Sequence, residues 1–340
     1  MTYTIYDDVF EAVRQYEPNN PFLKAKNPFG GRLIRHNNTF EVMRLENGKL
    51  CAITQSPIFF TYYRGEPNLY DNCIPSLYRG NPSEDEIIIN QLKALDFRDI
   101  CRTFPTVQFA ENDNLDVQYD AIAQHYGLKT NIIDITNDIG VAAYFATQQY
   151  DEDTDSYHPV TEGVGCIRKT ILMMGMPRFQ GVVIGVQPFY RTARQSAYGY
   201  VCTRGEDFAK CSHATVFKQN SHMNKIICDI FSQKEEYNLF PVELITNAAK
   251  KVLQTPKITS SSIVEYCRQY QKEFGEINQT LKNYGIEITE TPVFKLTRQQ
   301  RRMLEKQILK GHPYGDIGFT SRLMTYSPKD NKNHTMNIID

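Results

Sequence analysis

The sequence has no tryptophan, no C-x-x-C pair, no glycine-rich phosphate loop and no long apolar run. Lacking an apolar stretch of about 18 residues, it offers no candidate for a membrane-spanning helix. Met1–Asp8 has neither a basic start nor an apolar core, so no signal peptide and a cytoplasmic location are expected. Charge of one sign is also missing. The 38 Lys and Arg nearly cancel the 39 Asp and Glu, and a net charge of -1 removes any global electrostatic case for nucleic acid or an acidic membrane surface. The eight cysteines are scattered, at 51, 73, 101, 166, 202, 211, 228 and 267. Cys202, Cys211 and His213 come closest to a metal cluster, but their spacing matches no common zinc pattern, so no metal is expected. The cysteines read instead as small buried hydrophobes in a reducing compartment. No Ser-His-Asp or Cys-His arrangement stands out either, which leaves generic hydrolase chemistry without support.

What is present describes an ordinary globular chain of 340 residues, 41% hydrophobic and 23% charged. It is rich in rings, with 21 Tyr and 19 Phe, and this suggests a Tyr-rich core or cleft whose hydroxyls need partners. Val9, Phe10, Val13 and Tyr16 suit one short amphipathic helix. Leu33–Arg35 and Thr39–Arg44 could form a β-pair, and Ile58–Tyr63 reads as a strand. Ser83 with Glu86 is a capping box in front of an apolar helix. A second helix carries Leu115, Tyr119, Ile122 and Tyr126 and stops at Gly127. Asn131–Thr136 is short and apolar, as a buried strand would be. Asn137 would cap the helix after it, whose residues 141–146 are apolar all round and therefore buried. Further strands are expected at Val164–Arg168, Val182–Val186 and Tyr198–Thr203. The remainder turns helical: one helix follows Ser221, one has Pro241 as its first residue, and one runs from a Ser262/Glu265 box to Gly275. Another ends at Gly285, and the last starts at a Thr297/Gln300 box.

Three segments carry unusual chemistry. Phe60-Thr-Tyr-Tyr63-Arg64-Gly65-Glu66, followed by Pro75-Ser-Leu-Tyr-Arg79, places a fork-shaped cation at a strand end beside a residue that lets backbone come close. His125-Tyr-Gly-Leu-Lys-Thr130 runs into Asn131-Ile-Ile-Asp134-Ile-Thr136, and a lone Asp in so apolar a strand needs a partner. Arg191-Thr-Ala-Arg194-Gln195 leads into Tyr198-Gly199. Together, and in this order, these segments resemble the FRG domain family, over Phe60 to Pro241. Tyr63 stands where the family's naming Phe is usual, Lys129 where Pro is frequent, Asn131 where Arg is frequent and Ile135 where Trp is. The order is also similar, more distantly, to ADP-ribosyltransferase-like folds.

The resemblance implies an α+β fold with a central mixed or antiparallel sheet. Residues 1–57 would be a lead-in, 58–250 the FRG-like domain, 251–323 a helical C-terminal extension and 324–340 a tail. It implies NAD as a substrate, held by Arg64, Gly65, Tyr63, Arg79 and Thr136, with Gln195, His125 and Asp134 as the catalytic set. A protein or nucleic acid would be the acceptor, and no membrane would be involved. Such a site must grip two phosphates and face an oxocarbenium-like centre. The rival is a non-catalytic module that binds or senses a nucleotide-like ligand, as in a bacterial defence or regulatory system. Each residue has two readings. Arg64 is an anion clamp or the partner of Asp134, His125 a base or a satisfied structural histidine, and Asp134 a reacting group or one that orders the cleft. The basic face of Arg298, Arg301, Arg302, Lys306 and Lys310 reads as a solvated surface, since it lacks the aromatics of a single-strand platform.

Overall fold

A computed structural model describes residues 3–19, 39–44, 47–54, 61–171, 181–185, 187–232, 238–309, 318–325 and 337–339. The first elements are β1 (Ile5–Tyr6) and α1 (Val9–Tyr16), the latter capped by the Asp8 carboxylate. Next come β2 (Thr39–Arg44) and β3 (Leu50–Thr54), which pair antiparallel. The expected partner at 33–35 lies outside the described residues, as do 58–60 of the strand expected before Tyr63. That strand is β4 (Thr61–Glu66).

Helices α2 (Glu84–Arg102), α3 (Pro105–Asn112) and α4 (Tyr119–His125) follow. The Ser83/Glu86 box forms reciprocally at the start of α2. Leu115 precedes α4 and bridges to Leu50 instead of joining the helix. Beyond α4, Gly127 takes the left-handed conformation at φ 89. β5 (Ile132–Thr136) leads into α5 (Ile139–Thr147). Asp138, not Asn137, caps α5 by accepting from the Gly140 amide at 2.8 Å. The two neighbours are equally able caps, and the hydroxyl of Thr136 binds the Asp138 amide, which sets the entry one residue later.

β6 (Gln148–Asp151) and β7 (Ser156–Pro159) form a hairpin around the acidic loop. Then come β8 (Val164–Ile171), β9 (Gly181–Val183), α6 (Tyr190–Arg194), β10 (Ala197–Val201), β11 (His213–Lys218) and α7 (Ser221–Ser232). The C-terminal elements are α8 (Leu244–Gln254), β12 (Lys257–Thr259), α9 (Ser260–Tyr270), α10 (Phe274–Asn283), β13 (Glu287–Thr289), α11 (Arg298–Leu309), β14 (Gly318–Thr325) and β15 (Asn337–Ile339). Three expected boundaries move here. Pro241 lies three residues before α8. Thr259 caps α9 in place of Ser262, because Glu265 is drawn to Arg268 and Arg98. α9 stops at left-handed Gln271, while Gly275 sits inside α10. The Thr297/Gln300 box is present.

The main sheet has seven strands in the order β1-β11-β8-β4-β5-β10-β9, antiparallel throughout except for β1 with β11. The fold is α+β. One face of the sheet carries Tyr63 and Gly65 and receives α5, whose alanines pack with Phe10, Ile167 and Phe217. The other face carries Tyr62, Ile133, Ile135, Tyr198 and Phe208. Each fully buried aliphatic side chain contributes about 1.5–3 kcal/mol. Among the described residues no helix is long and apolar enough to cross a membrane. The sheet has one weak seam. β4 meets β8 at six register positions and β10 meets β5 at five, but β4 and β5 meet only at Tyr63 and Thr136.

Candidate functional site

The seam is where the sequence motifs gather, around Asp134 of β5. Beyond the single Tyr63–Thr136 pairing, the Asp134 carbonyl has no neighbour strand on the β4 side. Arg64 fills that place, donating from Nη1 to the Asp134 carbonyl at 2.9 Å. The side chain of Asp134 is 35% exposed, although its Oδ1 is buried. Its Oδ2 accepts from Gln124 Nε2 at 3.1 Å. Gln124 can point that way because its own oxygen is taken by the hydroxyls of Thr130, at 2.7 Å, and Ser76, at 3.2 Å. Ser76 belongs to the Pro-Ser-Leu segment and Thr130 to the His-Tyr-Gly-x-x-Thr segment. Their hydroxyls thus orient one amide onto one carboxylate.

Behind Asp134 lies His125, the last residue of α4, with a side chain only 3% exposed. Its Nδ1 is 3.0 Å from Gln195 Oε1. Gln195 donates from Nε2 to the Leu239 carbonyl at 3.1 Å, so its oxygen faces the imidazole and accepts. The ring therefore carries its proton on Nδ1 and turns Nε2 toward Asp134 Oδ1, 3.6 Å away. Neither of these two buried atoms has a hydrogen-bond partner among the described residues. Two unmet atoms facing one another call for a chemical reason, and Arg191 Nε nearby is a further buried atom without a partner among the described residues. Burial pulls the His125 pKa below its ordinary value, and the Arg191 charge adds to this, while Asp134 and Gln195 oppose it.

The turn that delivers Gln195 is tight. Ser196 takes φ 45, a left-handed conformation uncommon for a non-glycine residue. Thr136 Oγ1 donates to the Gln195 carbonyl at 2.9 Å and pins this turn to the end of β5. Arg191 donates to the His125 carbonyl at 2.8 Å, its guanidinium 4.3 Å over the Tyr126 ring and 5.3 Å over Phe240. Glu243 accepts from the Tyr126 hydroxyl and the Tyr190 amide, and burial pushes its pKa up.

The expected residues divide into two groups. His125, Asp134, Gln195 and Thr136 converge. Arg64 reaches them through backbone only, because strand alternation puts it on the side of Tyr62 and Glu66. There its Nε donates to Glu66 Oε1 at 3.2 Å, and Arg168 Nε donates to Glu66 Oε2 at 2.7 Å. Among the described residues no hydrogen bond links the other three expected residues to Asp134. Tyr63 pairs with Thr136 across the seam, but its hydroxyl donates to Glu17 at 2.7 Å. Arg79 is exposed and donates to the Ile74 carbonyl. Gly65 does permit a close approach, but to α5: a Cβ there would lie 1.8 Å from the Ala142 carbonyl oxygen and 2.5 Å from the Ala146 nitrogen. Sequence reasoning missed Gln124, Ser76 and Thr130 as site residues, although Ser76 and Thr130 fall inside the quoted motifs and Gln124 directly precedes His125. It also missed Glu66 as the partner of Arg64. A groove of about 520 Å³ lined by Phe104, Tyr190, Arg194, Glu243 and Met303 includes none of these converging residues.

The family model of the FRG domain matches residues 60–155. That range holds Arg64, Ser76, Gln124, His125, Thr130, Asp134 and Thr136, while Arg191 and Gln195 lie beyond it. No curated protein and no solved structure matches the chain.

Proposed function

We propose that the FRG domain presents Asp134 to a nucleotide-like ligand, with NAD as the substrate and cleavage of its N-glycosidic bond as the reaction. The observation that carries this reading is the state of Asp134. It is a partly exposed carboxylate, fixed by Gln124 and by its own carbonyl, and among the described residues no lysine or arginine reaches its oxygens. When the bond between ribose carbon and nicotinamide nitrogen breaks, its electron pair leaves with nicotinamide and the ribose becomes an oxocarbenium-like cation. A preorganised carboxylate facing that carbon stabilises the charge. The cation is then captured by water or by an acceptor group on a protein or nucleic acid, whose proton passes to Asp134 or to solvent. Gln195 acts from behind, through His125, and not on the acceptor.

A second reading, a non-catalytic binding or sensing module, draws support from the same bonds. Both ends of the Gln195 amide and the Thr136 hydroxyl are engaged internally, so neither is free to steer an incoming acceptor. Calorimetry with NAD, paired with a nicotinamide-release assay, separates the two. Binding with release is expected. Binding without release assigns the module, and no binding by the folded chain rules out NAD for both.

A further inference from the structure

We infer that His125 is a positioning residue that latches Asp134 in a proton-dependent way, with Gln195 fixing which ring nitrogen meets the carboxylate. This deepens the proposed function and rests on its reading of Asp134 as the ligand-facing group. Gln195 can only accept at Oε1, since its Nε2 is committed to the Leu239 carbonyl. Nδ1 must then donate, and the neutral ring shows a lone pair at Nε2 to the Asp134 Oδ1 lone pairs at 3.6 Å. Two acceptors face one another, both buried and both unmet. Asp134, the more exposed of the two, is thereby left to the ligand. One proton taken from solvent at Nε2 turns the opposed acceptors into a charge-assisted N–H to carboxylate bond. The carboxylate is then neutralised and drawn inward.

Among the described residues, the charged groups around the ring are these. Asp134 faces it from β5, the Arg191 guanidinium from α6 binds its carbonyl, and Glu243 ahead of α8 binds the neighbouring Tyr126. Burial keeps the ring neutral near pH 7, so the latch is open there and closes on acidification. Affinity for a ligand that meets Asp134 through a cation or a hydrogen-bond donor should fall as the proton goes on.

Long-range 1H–15N correlation spectra of the full chain, labelled at histidine, test this without any ligand. The His125 signals are assigned by their loss in His125→Gln. The neutral ring should be the Nδ1–H tautomer. Gln195→Glu, which adds a carboxylate at Nδ1, should raise the titration midpoint by about one pH unit or more, and Asp134→Asn should lower it. Those shifts report how the ring is coupled to its two neighbours, whereas a purely structural role would leave NAD affinity unchanged across the midpoint. An Nε2–H tautomer overturns the inference, as does a Gln195→Glu midpoint equal to that of the wild type. Should Gln195→Glu fail to fold, the wild-type tautomer and the Asp134→Asn midpoint decide. Absence of NAD binding would sink the proposed function while leaving these spectra as they are. Where NAD does bind, its affinity should weaken through the same midpoint, and an affinity independent of pH would refute the latch.

Discussion

Glu66 and Asp134 lie on neighbouring strands and both touch Arg64, yet one is saturated and the other is not. Glu66 is 3% exposed, and each of its oxygens receives a guanidinium. Burial works against its charge, but Arg64 and Arg168 hold the carboxyl below its ordinary value. Asp134 has one oxygen on a neutral amide and the other opposite a lone pair, while Arg64 touches only its carbonyl. A carboxylate whose partners are complete is structural, because nothing remains for a ligand to meet. Asp134, at a seam in the sheet, keeps a buried Oδ1 with no hydrogen-bond partner among the described residues, and the proposed function rests on that difference.

The contrast breaks most clearly at Glu66. Glu66→Ala leaves Arg168 buried without its carboxylate and Arg64 with only a carbonyl, and should cost about 3–5 kcal/mol, read as a lower urea midpoint. A loss below about 1 kcal/mol would mean that the pair is dispensable. Gly65→Ala comes next. The added methyl meets helix backbone that cannot swing aside, so about 3 kcal/mol is expected from the same measurement. Wild-type stability in that variant would show that α5 can retreat from β4.

The sequence showed which segments matter more readily than what each residue in them does. Both reciprocal caps, at Ser83/Glu86 and Thr297/Gln300, were readable because their hydrogen bonds are local. The buried strand 132–136 and the apolar helix after it were readable from their lack of polar residues. By contrast, Gly65 looked like a place for a ligand and is a place for a helix, since a glycine does not announce what approaches it. Arg64 has two readings in the sequence, an anion clamp or a partner for Asp134. Alternation along β4 sends it to Glu66, two residues on, a fact that depends on which face each strand turns to the core. Gln124 was hidden for a similar reason. Its role exists only once Ser76, 48 residues away, folds onto its oxygen. Gln195 and His125, 70 residues apart, stand in one expected catalytic set and do meet, with the amide oxygen against the ring.

Asp134→Asn should have the smallest effect on stability, about 1 kcal/mol or less, because it removes no ion pair with a lysine or arginine and keeps the side-chain volume. It is also the substitution that isolates what the Asp134 carboxylate contributes to a ligand. Calorimetric titration of NAD into wild-type and Asp134→Asn protein at the same pH, with equal urea midpoints confirmed, isolates the carboxylate from the fold. The expected result is binding by the wild type and at least a tenfold weaker affinity in the variant. Equal affinities in two equally stable proteins would contradict it and return Asp134 to a structural role beside Glu66.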